Sequence, residues 1–255
     1  MDPVNLNSGI QYYLQVETVP HKDVEVRRET RALTMVLAQI LKEPCFNQLR
    51  TKEQLGYIVK SGLQEDNGTL GITVTIQSER DPIYLESRIE NLFKDRIART
   101  VDSMTEEELK RQIDSAAIKR LEKPKNLKEE STQHWSQIRS GYFEFDQVQV
   151  DVEEMKKVTL ERLRGFFGQW ILPNGASTKK LSIHIRSQKL PPQVDERVAV
   201  NGQKEEVGQE DVVVIEFARL PEETLLIKDE AEFKANLELS RAPVPVVDLL
   251  RYSKL

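Results

Sequence analysis

Hydrophobic residues recur along this chain with two periods, and the switches between them divide it into elements. Over residues 9–16, Ile10, Tyr12, Leu14 and Val16 alternate with mostly polar neighbours, the two-residue period of a half-buried strand. Pro20 ends it. From Asp23 the period lengthens, and Val26, Thr30, Leu33, Leu37 and Ile40 fall on one helical stripe. Pro44 is expected to stop that helix, with a short second one over residues 45–54 before Gly56. Residues 57–63 and the alternating Leu70, Ile72, Val74 and Ile76 flank Glu65-Asp66-Asn67-Gly68. Asn-Gly tolerates the two positive φ angles of a type I′ turn, so this stretch reads as a β-hairpin.

The middle of the chain is helical. Pro82 opens a helix carrying Leu85, Ile89, Leu92, Phe93 and Ile97. Thr105-Glu106-Glu107-Glu108 has the form of a capping box and starts a helix with Leu109, Ile113, Ala117 and Leu121 at four-residue spacing. After Pro124, Asn126 can cap a helix whose stripe is Leu127, Ser131, Trp135, Ile138 and Tyr142. Asp146 begins a long one with Val148, Val152, Met155, Leu163, Phe166 and Trp170, closed by Pro173-Asn174-Gly175. A strand over 180–185 follows, with Leu181, Ile183 and Ile185 on one face. Beyond Pro191-Pro192 the chain turns charged and irregular apart from an apolar burst over 211–217. A short helix near 229–237 and the tail Ala242-Pro243-Val244-Pro245 close it.

Few strands, with the one adjacent pair forming a hairpin, favour an α+β fold over a doubly wound one: an antiparallel or mixed sheet with helices packed on one face. The expected organisation is one domain over residues 1–187, a loosely attached appendage over 188–240, and an exposed tail over 241–255.

Composition narrows the function classes. The 255 residues hold 42 acidic and 37 basic side chains, a formal net charge of −5, which gives no general attraction to nucleic acid or anionic lipid. No run approaches the roughly 18 apolar residues of a membrane span, and the opening MDPVNLNSGI has no secretory-signal pattern. A single cysteine, Cys45, cannot form an internal disulfide and suits a reducing compartment. The three histidines, His21, His134 and His184, are far apart, and neither H-E-x-x-H nor H-x-x-E-H occurs, so no zinc site is expected within the chain. There is likewise no G-x-S-x-G elbow and no glycine-rich phosphate loop. The acids at 106–108 suit the first turn of a helix rather than an acid/base pair.

One segment stands out, EPCFNQLRTKEQLGY over residues 43–57. It sets Arg50 on a short helix and Tyr57 at the mouth of the following strand, two donors suited to a peptide carbonyl or an oxyanion. The chemistry alone leaves open a plainer arrangement, in which Arg50 pairs with Glu53 or Glu43 and Tyr57 packs in the sheet.

That segment, extended to EPCFNQLRTKEQLGYIVKSG, resembles the last domain of insulin-degrading-enzyme-like zinc metallopeptidases, the inverzincin or pitrilysin group. Further matching points are the NG-L-G hairpin, Gln77-Ser78-Glu79, Tyr84-Leu85-Glu86-Ser87-Arg88, Met104-Thr105-Glu106-Glu107 and Arg120-Leu121-Glu122-Lys123-Pro124-Lys125. Residues 8–185 fit well and 186–240 loosely. The resemblance implies a peptidase-like domain without the zinc motif, inactive alone. It implies zinc, peptide substrates and a closed chamber only in the complete enzyme, whose N-terminal half carries H-x-x-E-H. It further implies that Arg50 and Tyr57 contact the substrate near that zinc and support the transition state, so that this chain supplies substrate-binding rather than catalytic or metal residues. Because the preceding domains are missing, the chain is expected to be a fragment, a separately encoded subunit or an incomplete product. A stand-alone peptide-binding or assembly module is the alternative. The terminal Ser253-Lys254-Leu255 has the form of a peroxisomal address read by an import receptor, so the expected location is the peroxisome, the cytosol or both.

Overall fold

Ser8–Val16 forms β1, and it lies between two strands remote from it in sequence. A computed structural model describes residues 5–16, 23–66, 69–188, 224–237 and 245–246. In it, β2 (Ile58–Asp66), β3 (Thr69–Ser78) and β4 (Lys179–Ile185) join β1 in a sheet of order β2-β3-β1-β4, every pairing antiparallel. Tyr12 opposes Val74 on one side and Ser182 on the other. The hairpin is present as expected, although its Asn67-Gly68 centre lies outside the described residues. So do the 211–217 burst, residues 189–223 and 238–240 of the 188–240 appendage, and the Ser253-Lys254-Leu255 tail.

Helices cover one face of the sheet. α1 (Val24–Cys45) starts on Asp23, whose carboxylate accepts from the Glu25 and Val26 N–H groups. α2 (Pro82–Asn91) follows the hairpin and starts in the same way on Asp81. The core joins Ile10, Tyr12, Leu14, Val74 and Ile76 of the sheet to Val36, Leu37 and Leu41 of α1 and to Leu85, Ile89 and Phe93. α3 (Ala98–Ser103) leads to α4 (Glu106–Arg120), which begins on the predicted capping box between Thr105 and Glu108. α5 (Leu127–Ser140), α6 (Gln147–Met155), α7 (Leu160–Phe166) and α8 (Glu230–Ala235) complete the set.

Two expectations are corrected, and the orientation of two faces is decided by the packing. Pro44 does not stop α1: the helix runs through it to Cys45 and widens into a π-helical segment, Phe46–Lys52. A mid-helix proline costs about 3 kcal/mol. Burying Leu41, Cys45 and Leu49 on one continuing stripe offsets this, at about 1.5–3 kcal/mol for each large apolar side chain. The long helix expected from Asp146 is two helices, because the Thr159 hydroxyl caps a new start by accepting from the Arg162 N–H. Within α5 the stripe faces outward: Leu127 is 79% and Trp135 63% exposed, and Gln137 is the buried residue of that helix, while Tyr142, the stripe's last member beyond the helix end, is buried. Finally, Leu181, Ile183 and Ile185 lie on the uncovered face of the sheet, while Lys180, Ser182 and His184 face the helices.

Candidate functional site

Arg50 belongs to the π-helical segment that prolongs α1, and Tyr57 precedes β2. The backbone between them turns under tight constraint. Gln54 takes a positive φ of 50°, the Leu55 N–H donates to the Leu49 carbonyl at 2.9 Å, and the Ser78 hydroxyl donates to the Leu55 carbonyl. Gly56 then passes so close to β3 that a Cβ on it would lie 2.0 Å from the Gln77 carbonyl oxygen, so only glycine fits. The expected sharp passage from helix to strand is real, and its cause is this close approach.

Arg50 pairs with neither Glu43 nor Glu53. Its Nη1 donates to the Tyr57 carbonyl, and its guanidinium lies 5.2 Å from the Tyr57 ring centroid and 5.4 Å from that of Phe46. Both distances fall within cation–π range. Tyr57 does not pack in the sheet but is 82% exposed. The fold therefore brings the two predicted residues together and presents a cation and a phenol side by side at the surface.

Sequence reasoning missed a buried ionic network at the opposite end of α1 from this region. Arg27 and Arg31 face inward from α1, and Glu144, fully buried, accepts from Arg27, Arg28 and Arg31 at 3.2, 2.7 and 3.2 Å. Asp151 of α6 takes Arg31 at 2.5 Å and Arg120 at 2.7 Å. Burial alone would raise the Glu144 carboxyl, but the three guanidiniums hold it below the usual carboxylate range. Arginines at i and i+4 on a helix read as a solvated face, and nothing local marks their acidic partners more than 110 residues away.

A large concavity lies elsewhere. A cavity of about 1020 Å³ lies among α1, β2, α4 and α5, its walls including Lys42, Leu63, Lys119, Lys123, Gln137 and Phe145, and neither Arg50 nor Tyr57 lines it. On the other side of the sheet core, Ser182, His184 and Glu86 have the composition of a hydrolytic triad without its geometry. The Ser182 hydroxyl and the Glu86 carboxylate both meet His184 Nε2, at 3.1 and 2.7 Å, so the ring does not bridge them. His134 lies against Phe145, ring centroids 6.3 Å apart, and His21 is outside the described residues. Among the described residues no three His, Cys, Asp or Glu side chains converge as metal ligands, and no helix is long and apolar enough to cross a membrane. Burial pushes the Cys45 thiol up to about 12, against an opposing hydrogen bond with Ser61, so it is not a thiolate nucleophile at neutral pH.

Comparison with known proteins places this geometry in context. Residues 36–135 match the family described as PQQ synthase PqqF-like, C-terminal lobe domain 4. Insulin-degrading enzyme of Homo sapiens is 34% identical over 97% of this chain. The chain belongs to the insulin-degrading-enzyme-like, pitrilysin-type family. It spans only 23% of the length of that human relative. Another relative, "Insulin-degrading enzyme-like 1, peroxisomal" of Arabidopsis thaliana, is 32% identical over 83% of this chain and is covered over 21% of its own length. Among solved structures, pitrilysin superposes with a TM-score of 0.61 at 20% identity, over 79% of this chain and 20% of its own. The "Inactive Peptidase Domain of a Putative Zinc Protease" from Bordetella parapertussis does so with a TM-score of 0.51 at 10% identity, over 71% of this chain and 94% of its own. The fold is thus that of a pitrilysin-type peptidase domain, and the chain carries neither zinc-binding string of that class.

Proposed function

We infer that this chain is the non-catalytic, substrate-contacting C-terminal domain of a zinc metalloendopeptidase that cleaves peptides. The observation that carries this reading is the Arg50–Tyr57 pair: two hydrogen-bond donors of different kinds, adjacent and facing solvent. A peptide carbonyl brought to that surface accepts from the phenol O–H and is attracted by the guanidinium charge, an arrangement suited to oxygen that gains negative charge during amide cleavage. The sequence carries no H-x-x-E-H string, and this reading therefore assigns the metal and the water it activates to another segment, the zinc-bearing N-terminal half. That half is the chain's partner, supplied by the same gene or as a separate chain. The exposed apolar stripe of α5 supports a partner on that face, since a 14-residue helix with that face in water is marginal alone. The terminal Ser253-Lys254-Leu255, together with a relative named as peroxisomal, supports import into the peroxisome by the receptor that reads this tripeptide.

The test is reconstitution. The 255-residue chain is mixed with a separately produced zinc-bearing half, and cleavage of a quenched fluorogenic peptide is followed. Cleavage is expected only in the mixture. Arg50→Ala and Tyr57→Phe each lower kcat/KM by roughly 100- to 1000-fold, the range for removing one transition-state donor. A mixture without activity, or variants as active as the parent, overturns the reading. Peptide binding by the isolated chain without cleavage in the mixture identifies a stand-alone binding module instead.

A further inference from the structure

Neither element that carries the Arg50–Tyr57 pair holds itself in place. A π-helical turn is a strained alternative to the α-helix, and relaxing it by one residue turns every side chain beyond it by about 100°. The C-terminal side of the turn is pinned to β3 through Leu55 and Gly56. The N-terminal side depends on Glu53. Its backbone N–H closes the π-helical segment on the Gln48 carbonyl at 2.9 Å. Its carboxylate, 15% exposed, accepts from Gln48 Nε2 at 2.7 Å and from both arms of the Arg88 fork, Nε at 2.7 Å and Nη2 at 2.9 Å. The Gln48 amide oxygen accepts in turn from Arg96 Nη1 at 3.0 Å. Burial would raise the Glu53 carboxyl, yet Arg88 and Gln48 hold it below the usual range. Arg88 stands on α2, whose Glu86 is anchored to β4 through Lys180 and His184.

We propose that Glu53, gripped by the Arg88 fork, is a positioning residue that keeps the segment π-helical and thereby aims Arg50 at the Tyr57 carbonyl. Glu53 touches neither Arg50 nor a ligand; it acts by fixing the helix that carries Arg50. A bidentate guanidinium–carboxylate pair suits this role because two parallel bonds define an orientation as well as a distance. The functional part of the proposal rests on the peptide-binding reading above, whereas the structural part does not.

The experiment uses the 255-residue chain and three readouts. These are amide exchange at residues 54–57, the NMR resonance of the Arg50 Nε–H group, and the Kd for a fluorescein-labelled unstructured decapeptide. In Arg88→Ala the 54–57 amides exchange at least tenfold faster, the Arg50 resonance moves, and the Kd rises about tenfold or more, while the amides of β1 and β3 keep their protection. Arg88→Lys, which keeps the charge but not the fork, recovers only part of each effect. The exchanged pair, Glu53→Arg with Arg88→Glu, restores the Arg50 resonance towards its parental position. An unmoved Arg50 resonance in Arg88→Ala overturns the proposal, as does a general loss of protection that includes β1 and β3, which would make the pair merely structural. Arg50→Ala with unchanged Kd removes the peptide-binding reading alone and leaves the exchange and NMR results to decide the clamp.

Discussion

A single methyl group is enough to displace the turn beneath Arg50 and Tyr57. Gly56→Ala puts a Cβ against the Gln77 backbone carbonyl, which cannot swing away as a side chain end could. The variant is expected to lose about 2 kcal/mol or more, in the upper part of the usual range for overpacking, measured as a lower urea midpoint with unchanged slope. A parental midpoint would show that the approach of the two backbones is not tight. Residue identity made much of this site legible: Arg50, Gly56 and Tyr57 stand in a short run whose donors and hinge are visible in the string itself. What the string did not show is which group Arg50 holds. Glu53 is three residues away and looks like its partner, yet that carboxylate is taken by Arg88, which is 35 residues away and reaches it only because α2 packs beside the π-helical segment.

At the scale of elements, several joints are ionic and join segments distant in sequence. Removing one member of a buried network leaves the others charged and unpaired, at a cost of about 3–5 kcal/mol. Glu144→Ala, which leaves buried Arg27 without a carboxylate partner and Arg31 with Asp151 alone, is therefore expected to destabilise the chain by about that amount in denaturant titrations, and a loss below about 1 kcal/mol would refute the network's role. The joint between α2 and β4 depends on pH. Burial would raise the Glu86 carboxyl, but hydrogen bonds from His184 and Lys180 bring it down to about 2, below the 4.5 of an ordinary glutamate. This depressed value means that the contribution is fully present above about pH 4.5 and fades as pH falls toward 2. It amounts to at most about 3 kcal/mol. The stability of Glu86→Gln is expected to vary less over that interval than the parent's, and equal slopes would show that another group governs acid sensitivity. The same joint decides which face of β4 is buried. Leu181, Ile183 and Ile185 alternate as a core face should, but Lys180 and His184 answer the acids of α2, so the polar set turns inward and the apolar set outward. Periodicity located β4 and the helices; only packing decided which side of β4 was buried, and α5 shows the same ambiguity.

At the scale of the whole molecule, the proposed assembly with a zinc-bearing half gives the uncovered apolar faces a partner. Trp135 stands 63% exposed in the α5 stripe. In a Trp170→Phe background, which leaves Trp135 as the sole tryptophan, binding of the zinc-bearing half is expected to shift the emission to shorter wavelength, and Trp135→Ser is expected to weaken that association. An emission spectrum unchanged on binding would place the contact on another face. The strand order has a further consequence, for the time course of synthesis. β1 occupies an interior position of the sheet, yet β4, which completes one of its edges, is made about 170 residues later. At the usual pace of about 5–20 residues per second, β1 keeps one edge unpaired for roughly 10–30 s on the ribosome. Late closure of this kind slows folding and leaves a strand open to wrong partners, so truncated or stalled chains ending before β4 should be the species that chaperones retain.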